Sequence, residues 1–261
     1  MLSNIRKMGF FWRNQPKEAA KPIKPTEAIE EEIEPEIEVK SKIQQELSSR
    51  TKLPDKDDYK LTVFLELDGI LFSTYIPHKT EAYYNKPMKK TDYEFDVTMI
   101  DEDVPLMLYM RPHWKKFLEY LRENTETIIY SRCQNYFIDQ IIENIGESHF
   151  DFIKHRLGQE ECALLSSKFD DLNELTKSIG GLNRELNRSI LIDHWPLSFI
   201  LEPNNAVTIS EYDASQDRYN EDTHLLELIK VIKQCQGLED VRPYLQQKFG
   251  IETMIKEMKF T

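Results

Sequence analysis

Glycine is scarce in this chain, 8 of 261 residues, and no glycine-rich loop is available to wrap a nucleotide phosphate. Cysteine is scarcer. Cys133, Cys162 and Cys235 are odd in number, widely spaced and without a CxxC pair, which excludes a zinc ribbon and a disulfide framework and makes a thiol-reducing compartment the expectation. No run of about 18 apolar residues occurs, so no segment is expected to span a membrane by itself. Clustered positive charge is also lacking: 34 Lys and Arg face 46 Asp and Glu, for a net charge of −12. Phosphate backbones are held by clustered Lys and Arg, so nucleic acid is not an expected main partner, whereas a basic protein partner is compatible.

What is there is enough apolar material for one large domain or two small ones: 40% of the residues, with 13 Phe and 12 Tyr adding bulk. Residues 1–57 do not contribute to it. The first 25 hold six basic side chains and one acidic; the next block, "TEAIEEEIEPEIE", holds seven glutamates and no base. Pro16, Pro22, Pro25 and Pro35 interrupt helix formation, and such charge blocks stay extended in water. The first 17 residues carry Arg6, Lys7, Arg13 and Lys17 and no acid, a composition shared by mitochondrial targeting segments and by flexible basic tails. Ile29, Ile33 and Ile37 form a weak stripe at four-residue spacing, so residues 1–57 read either as a solvated linker or as an arm that orders on a partner.

From Leu61 onward, apolar runs alternate with periodic stretches. "LTVFLEL" (61–67), "VPLMLYM" (104–110), "ETIIYS" (126–131), "SILIDHW" (189–195) and "AVTIS" (206–210) read as strands. Residues 112–124, with Pro112 in the first turn, and 134–146, closed by Gly146, read as helices, as do 222–235 and 238–249. A short helix is expected from Pro196, and a hairpin around "DYEFDVTM" (92–99) within a polar insertion at 73–103. Strands this apolar are covered on both faces, which predicts an α/β fold: a parallel sheet between helices. The expected organisation is a charged tail at 1–57, one α/β domain at 58–250 and an extension at 251–261.

Ligands of such sheets bind beyond the carboxyl ends of the strands. Glu66 and Asp68 follow the first core strand, Ser131 and Arg132 the third, and Asp193 and His194 the fourth; Lys168 stands in a loop-rich stretch nearby. A carboxylate nucleophile, a carboxylate acid, a hydroxyl and a lysine are the parts of a phosphotransferase. Each residue also has a plainer reading. Asp68 before Gly69 suits a turn, Asp193 and Ser131 suit capping positions, and Arg111-Pro112 suits a helix start.

At these residues the chain resembles a known family. "LELDGILFST" is similar to the Asp-x-Asp-x-Thr strand of haloacid-dehalogenase-type phosphatases, "MRPHWKKFLEYL" to their Arg-Pro helix start, and "IIYSRCQNYFIDQII" to their Phe-Thr-Ala-Ser turn. With "LNRELNRSILIDHWPLSFILEPNNAV" and "LLELIKVIKQCQGLEDVRPYLQQKF" the likeness covers about residues 58–250. It points to the NLI-interacting-factor type of phosphatase, which acts on the RNA polymerase C-terminal domain, and within it to the branch of mitochondrial presequence receptors. The resemblance implies a HAD-like (Rossmannoid) fold with a small hairpin insertion.

It also exposes departures. The nucleophile position is Glu66 instead of Asp; Asp68 is kept; Ile70 replaces a Thr or Val. Ser131 stands at the phosphate-binding hydroxyl, Lys168 at the phosphate lysine with Lys177 as its rival, Asp193 is kept, and His194 stands where a metal-ligating Asn is common. Glu66 adds a methylene, and a misplacement of about 1 Å can cost on the order of 100-fold in rate. Imidazole suits magnesium poorly. The expectation is therefore a pseudophosphatase without cofactor, with Glu66, Asp68 and Asp193 as vestigial magnesium ligands. The resemblance then implies a binding module peripheral to the mitochondrial inner membrane. Other membrane-complex subunits would hold it through residues 1–57 and 73–103, and it would receive basic targeting peptides on acidic runs at 101–104 and 211–222. An accessory subunit of a respiratory or ATP-synthesising complex and a weak protein phosphatase stand as alternatives.

Overall fold

In the computed structural model, the residues described are 52–56, 58, 60–77, 89–99, 102–166, 173–215 and 221–258. Residues 1–50, Lys168 and residues 216–220 lie outside them.

The strands are β1 (Leu61–Leu65), β2 (Phe72–Tyr75), β3 (Tyr93–Met99), β4 (Glu102–Met110), β5 (Thr125–Tyr130), β6 (His155–Leu157), β7 (Ala163–Ser166), β8 (Asn173–Thr176), β9 (Ser189–Asp193) and β10 (Ala206–Thr208). The helices are α1 (Trp114–Asn124), α2 (Asn135–Ile145), α3 (His224–Gln236), α4 (Arg242–Phe249) and α5 (Ile251–Met258). Five strands make a parallel sheet in the order β10-β9-β1-β5-β6. β1 lies at its centre; the chain builds outward through β5 and β6, then returns to the other side for β9 and β10. The order thus reverses beside β1, and the crevice of such a sheet opens there.

Side chains alternate between the faces of a strand, so each strand feeds two cores. Val63, Leu65, Ile129, Ile190, Ile192 and Val207 pack with Phe117 and Leu121 of α1, Ile138 and Ile142 of α2, and Leu228 and Ile232 of α3. Phe64, Ile128, Tyr130, Leu191 and Ala206 face the other way, against Leu53, Ile179, Leu182, Phe199, Ile251 and Ile255. Full burial of such a side chain contributes about 1.5–3 kcal/mol. Helices cover both faces, as expected, but unequally. The second face is closed by α5, which the sequence leaves as a terminal extension, and by short 3₁₀ turns such as Pro196–Phe199.

"VPLMLYM" is a strand, but not of the parallel sheet. β4 pairs antiparallel with β2 and β3 in a separate sheet ordered β2-β4-β3. The expected hairpin lies one strand further on: 93–99 is its first arm and 102–110 its second. β7 and β8 form a further two-stranded pair. α1 begins at Trp114 instead of Pro112, because His113 takes a left-handed conformation (φ 70°) ahead of it.

The lower pole, at the amino ends of the strands, anchors the incoming chain. Leu53 is buried, its carbonyl accepts the Asn183 amide (3.1 Å), and the Pro54 carbonyl accepts Arg184 Nη1 (2.8 Å). Arg184 also grips Glu126 through Nε and Nη2, and Lys56 lies 3.7 Å from the same carboxylate. A cleft of about 780 Å³ opens at this pole, lined by Lys56, Lys60, Arg184 and Arg188 among others.

Candidate functional site

The carboxyl ends of β1, β5 and β9 converge on one buried cluster. Glu66 directly follows β1, is 2% exposed, and its backbone N–H still donates to Ile192 of β9 (3.0 Å). Its Oε1 accepts from the N–H of the next residue, Leu67 (2.9 Å). Its Oε2 accepts from Lys177 Nζ (2.8 Å) and from the backbone N–H of Arg132 (3.2 Å), just beyond β5. Asp193 ends β9 and is fully buried. Its Oδ2 accepts from the same Lys177 Nζ (2.6 Å), and its Oδ1 from Trp195 N–H (2.9 Å). One ammonium therefore bridges two carboxylates away from water.

Lys177 is seated by its strand. It directly follows β8, its side chain is fully buried, and Nζ stands 5.6 Å from the Tyr130 ring centre. Tyr130 is held in turn: its hydroxyl donates to the Glu161 carbonyl (2.7 Å) and accepts from Ser178 N–H (3.2 Å). Of the two rival lysines, the one the structure brings to the carboxylates is Lys177; Lys168 lies outside the described residues.

The other expected residues separate into roles. Ser131 is buried, and its Oγ accepts from Cys133 N–H (3.2 Å), a local turn bond and not a cap on α2. Asp68 is half-buried, and its Oδ1 accepts from Thr74 Oγ1 (3.3 Å). Gly69 takes φ +76°, which glycine adopts without a Cβ penalty. The His194 ring fills the space beside it, with Cδ2 and Nε2 only 2.6 and 2.7 Å from where a Cβ on Gly69 would be.

Arg111, whose plainer reading was a helix start, is fully buried. Its Nη1 donates to the Gly69 and Ile70 carbonyls (3.3 and 3.2 Å), its Nη2 to the Ser210 carbonyl (2.9 Å), and its Nε to Asp222 (3.0 Å). It fixes the turn that carries Asp68. It also removes Asp222 from the acidic run at 211–222, in which Tyr212 and Ala214 are buried as well. In the other acidic run, Glu102 and Asp103 are exposed.

Arg132 is the residue whose place the sequence least reveals. Its guanidinium stands over the Trp195 ring (5.5 Å), with Nε 4.0 Å from Glu66 Oε2. Its position after a strand end marks it as a neighbour of the site, but its burial depends on Trp195, which arrives from β9.

The charges shift one another. Burial by itself would lower the Lys177 pKa, but Asp193 and Glu66 outweigh it and hold the ammonium above its ordinary range. Burial by itself would raise that of Asp193; Lys177, Arg132 and His194 reverse this and hold it well below the usual carboxylate range. Burial, reinforced by Glu66 and Asp68, pushes the Cys133 thiol up to about 12.

This geometry limits the chemistry. A carboxylate nucleophile needs an oxygen open to phosphorus, in line with the leaving group. Both Glu66 oxygens are engaged, and the side chain is 3% exposed. Magnesium demands an octahedron of oxygens at about 2.0–2.1 Å. The residues present do not fit it: Lys177 stands between Glu66 and Asp193, the four oxygens of these two carboxylates already accept hydrogen bonds, and His194 packs on a glycine. Among the described residues no group of three or more His, Cys, Asp or Glu side chains is arranged to hold a metal ion.

Comparison with known proteins places this arrangement in a family. Over 205 residues the chain is 24% identical to the CTD small phosphatase-like protein 2 of Dictyostelium discoideum, covering 78% of this chain and 33% of that protein. Over 137 residues it is 28% identical to the mitochondrial import inner membrane translocase subunit TIM50 of Candida albicans, covering 52% of this chain and 27% of that protein. A solved structure of the fission yeast RNA polymerase II CTD phosphatase Fcp1 aligns with 82% of this chain and 57% of its own, at 15% identity and a TM-score of 0.45. The chain thus spans about a third of the first relative and about a quarter of the second. The model of the NLI interacting factor-like phosphatases matches residues 61–242, and the chain belongs to that family.

Proposed function

We propose that this chain is a non-catalytic member of its family, a HAD-like module that works by binding. The observation that carries the reading is the locked Glu66 carboxylate. The longer side chain folds back onto its own Leu67 N–H, and its other oxygen is tied to Lys177 and to Arg132 N–H. Attack on phosphorus would require breaking these bonds inside a dry cluster, where charge-assisted bonds are strongest.

The place of action proposed is the mitochondrial inner membrane, as a peripheral subunit. The likeness to a translocase subunit supports it, as does the basic, acid-free stretch over the first 17 residues. Among the described residues no helix is long and apolar enough to cross a membrane; attachment through partner subunits is part of the proposal. Exposed Glu94, Asp96, Glu102 and Asp103 on the β3–β4 hairpin offer acidic surface to a basic segment. The phosphatase relative favours a second reading, weak turnover of a phosphoprotein.

Phosphate release from an aryl phosphate, measured for the wild type and Glu66→Asp, tests the reading. No release from the wild type is expected; magnesium-dependent release lost in Glu66→Gln would overturn it. Co-purification after mild detergent extraction tests the setting. Translocase subunits in the eluate support a receptor role, respiratory or ATP-synthase subunits an accessory role, and neither would defeat the proposed location.

A further inference from the structure

In the sheet ordered β2-β4-β3, β4 is central and β3 is an edge; among the described residues no strand pairs with its far side. The register tells which backbone groups point there. Opposite residues of an antiparallel pair alternate between those that exchange hydrogen bonds and those whose N–H and C=O turn away from each other. Asp96 stands opposite Pro105, which has no N–H to exchange, and so falls in the second kind. Glu94 and Thr98, two residues to either side, share its orientation. Thr98 shows it directly: the Gln140 side chain of α2 accepts from its N–H (2.8 Å) and donates to its carbonyl (3.4 Å).

One glutamine amide thus stands where a peptide group of a neighbouring strand would. It reaches Thr98 and no further. The N–H and C=O of Glu94 and Asp96 continue the same edge, and among the described residues no strand meets them. Both carboxylates are exposed on one face of β3, and neither forms an ion pair among the described residues. Tyr136, 44% exposed, lies one helical turn from Gln140 on the same side of α2 and adds an aromatic surface at the capped end. What complements this edge is a basic segment in extended form. Glu94 and Asp96 are two residues apart, so bases that meet both must also be two apart; on a helix, neighbours on one face are three or four apart. A second copy of β3 would bring acid against acid.

We propose that the free edge of β3 at Glu94 and Asp96 is a strand-addition site for an extended basic segment of a partner protein, one with bases at alternate positions. The inference rests on the binding-module reading and deepens it, because it states the conformation in which a basic segment is held. Ahead of residue 52 the chain has one pair of bases with this spacing, Lys40 and Lys42, so self-occupation is an outcome the experiment separates.

Two labelled octapeptides of one composition test it, with Lys and Thr alternating in the first and gathered into two blocks in the second. Fluorescence anisotropy with the full chain gives their affinities, and amide hydrogen exchange reads the edge. The alternating peptide is expected to bind more tightly and to slow exchange at the N–H of Glu94 and Asp96. Glu94→Gln with Asp96→Asn should weaken it by roughly 2- to 30-fold, the worth of two exposed ion pairs. Gln140→Ala, which uncovers Thr98, should lengthen the protected stretch to that residue. Equal binding of the two peptides, or binding that leaves these amides unprotected, would overturn the proposal. So would binding of neither, the result if the acids only guard the edge against self-pairing. Amides already protected in the free chain, and released by Lys40→Ala with Lys42→Ala, would overturn it in favour of the chain's own segment. Protection that rises with protein concentration would do so in favour of a second copy. Phosphate release by the wild type defeats the non-catalytic reading and not the strand site, whereas equal binding of the peptides defeats only the site.

Discussion

Replacing Lys177 by methionine should be among the most damaging single changes in the domain. The side chain is fully buried and bonds Glu66 at 2.8 Å and Asp193 at 2.6 Å, so no water stands ready to replace it. Removing one partner from a buried ion pair costs about 3–5 kcal/mol. Here two carboxylates are left facing each other, which places the expected loss at the upper end. For a domain of this size about 5 kcal/mol corresponds to a fall in Tm of roughly 10–20 °C. Urea unfolding followed by the fluorescence of Trp114 and Trp195 measures it, Trp195 reporting from the site itself. The pH dependence should change as well. Lys177 is held above its ordinary 10.5, so its contribution is complete below that value and drains only as pH rises through the folded one. Asp193 is held below its ordinary 3.8, so its contribution is complete above that value and is lost as pH falls through the folded one. The wild-type cluster should therefore be flat from about pH 5 to 9. In Lys177→Met, protonating Asp193 relieves repulsion, so the deficit should shrink as pH falls. Adding Glu66→Gln to Lys177→Met should restore part of the loss, a coupling of the order of 1–3 kcal/mol. A loss below about 1 kcal/mol, the worth of an exposed pair, or strict additivity with Glu66→Gln, would refute the reasoning.

Arg111→Met should also cost about 3–5 kcal/mol in urea unfolding, because it strands Asp222, two backbone carbonyls at the turn after β1 and the Ser210 carbonyl beyond β10. Burial would raise the Asp222 pKa, but Arg111 draws it down; its stabilisation is complete above 3.8 and lost as pH falls through the folded value, and Asp222→Asn should remove that part of the acid loss. Gly69→Ala should lose about 1–2 kcal/mol to its positive φ and a further 1–3 kcal/mol to the His194 ring; adding His194→Ala should recover only the second part. The thiols of Cys133 and Cys235, both pushed up to about 12 chiefly by burial, should resist alkylation near pH 8 until the protein is unfolded, as mass spectrometry of labelled peptides would show.

The sheet was legible because its strands are nearly uninterrupted apolar runs: "LTVFL", "TETIIY" and "SILID" read as buried on both faces, and they are. β6 was not, since "HRL" is three residues long with two of them polar, and its place at the sheet edge follows only from pairing with β5. β2 was hidden because "FSTY" follows a turn so tight that strand and turn share one motif. The convergence of Glu66, Ser131 and Asp193 follows from parallel topology alone, and reading strand ends found them. The identity of the lysine did not follow. Lys168 and Lys177 stand in one polar stretch; β8 carries Lys177 to the carboxylates, and Lys168 lies outside the described residues. Arg111 and Arg132 escaped for a common reason. A buried arginine is explained by its partners, Asp222 in one case and Trp195 in the other, and both arrive from more than 60 residues away.

The anchoring of Leu53 and Pro54 by Asn183 and Arg184 has a practical consequence. It fixes the doorway by which the polypeptide enters the domain at the pole farthest from Glu66. A handle fused ahead of residue 52, or a tether to a surface, pulls from beneath and leaves the crown of the sheet facing outward. A tether at residue 52 and a visitor at the crown therefore meet the domain at opposite ends of its strands.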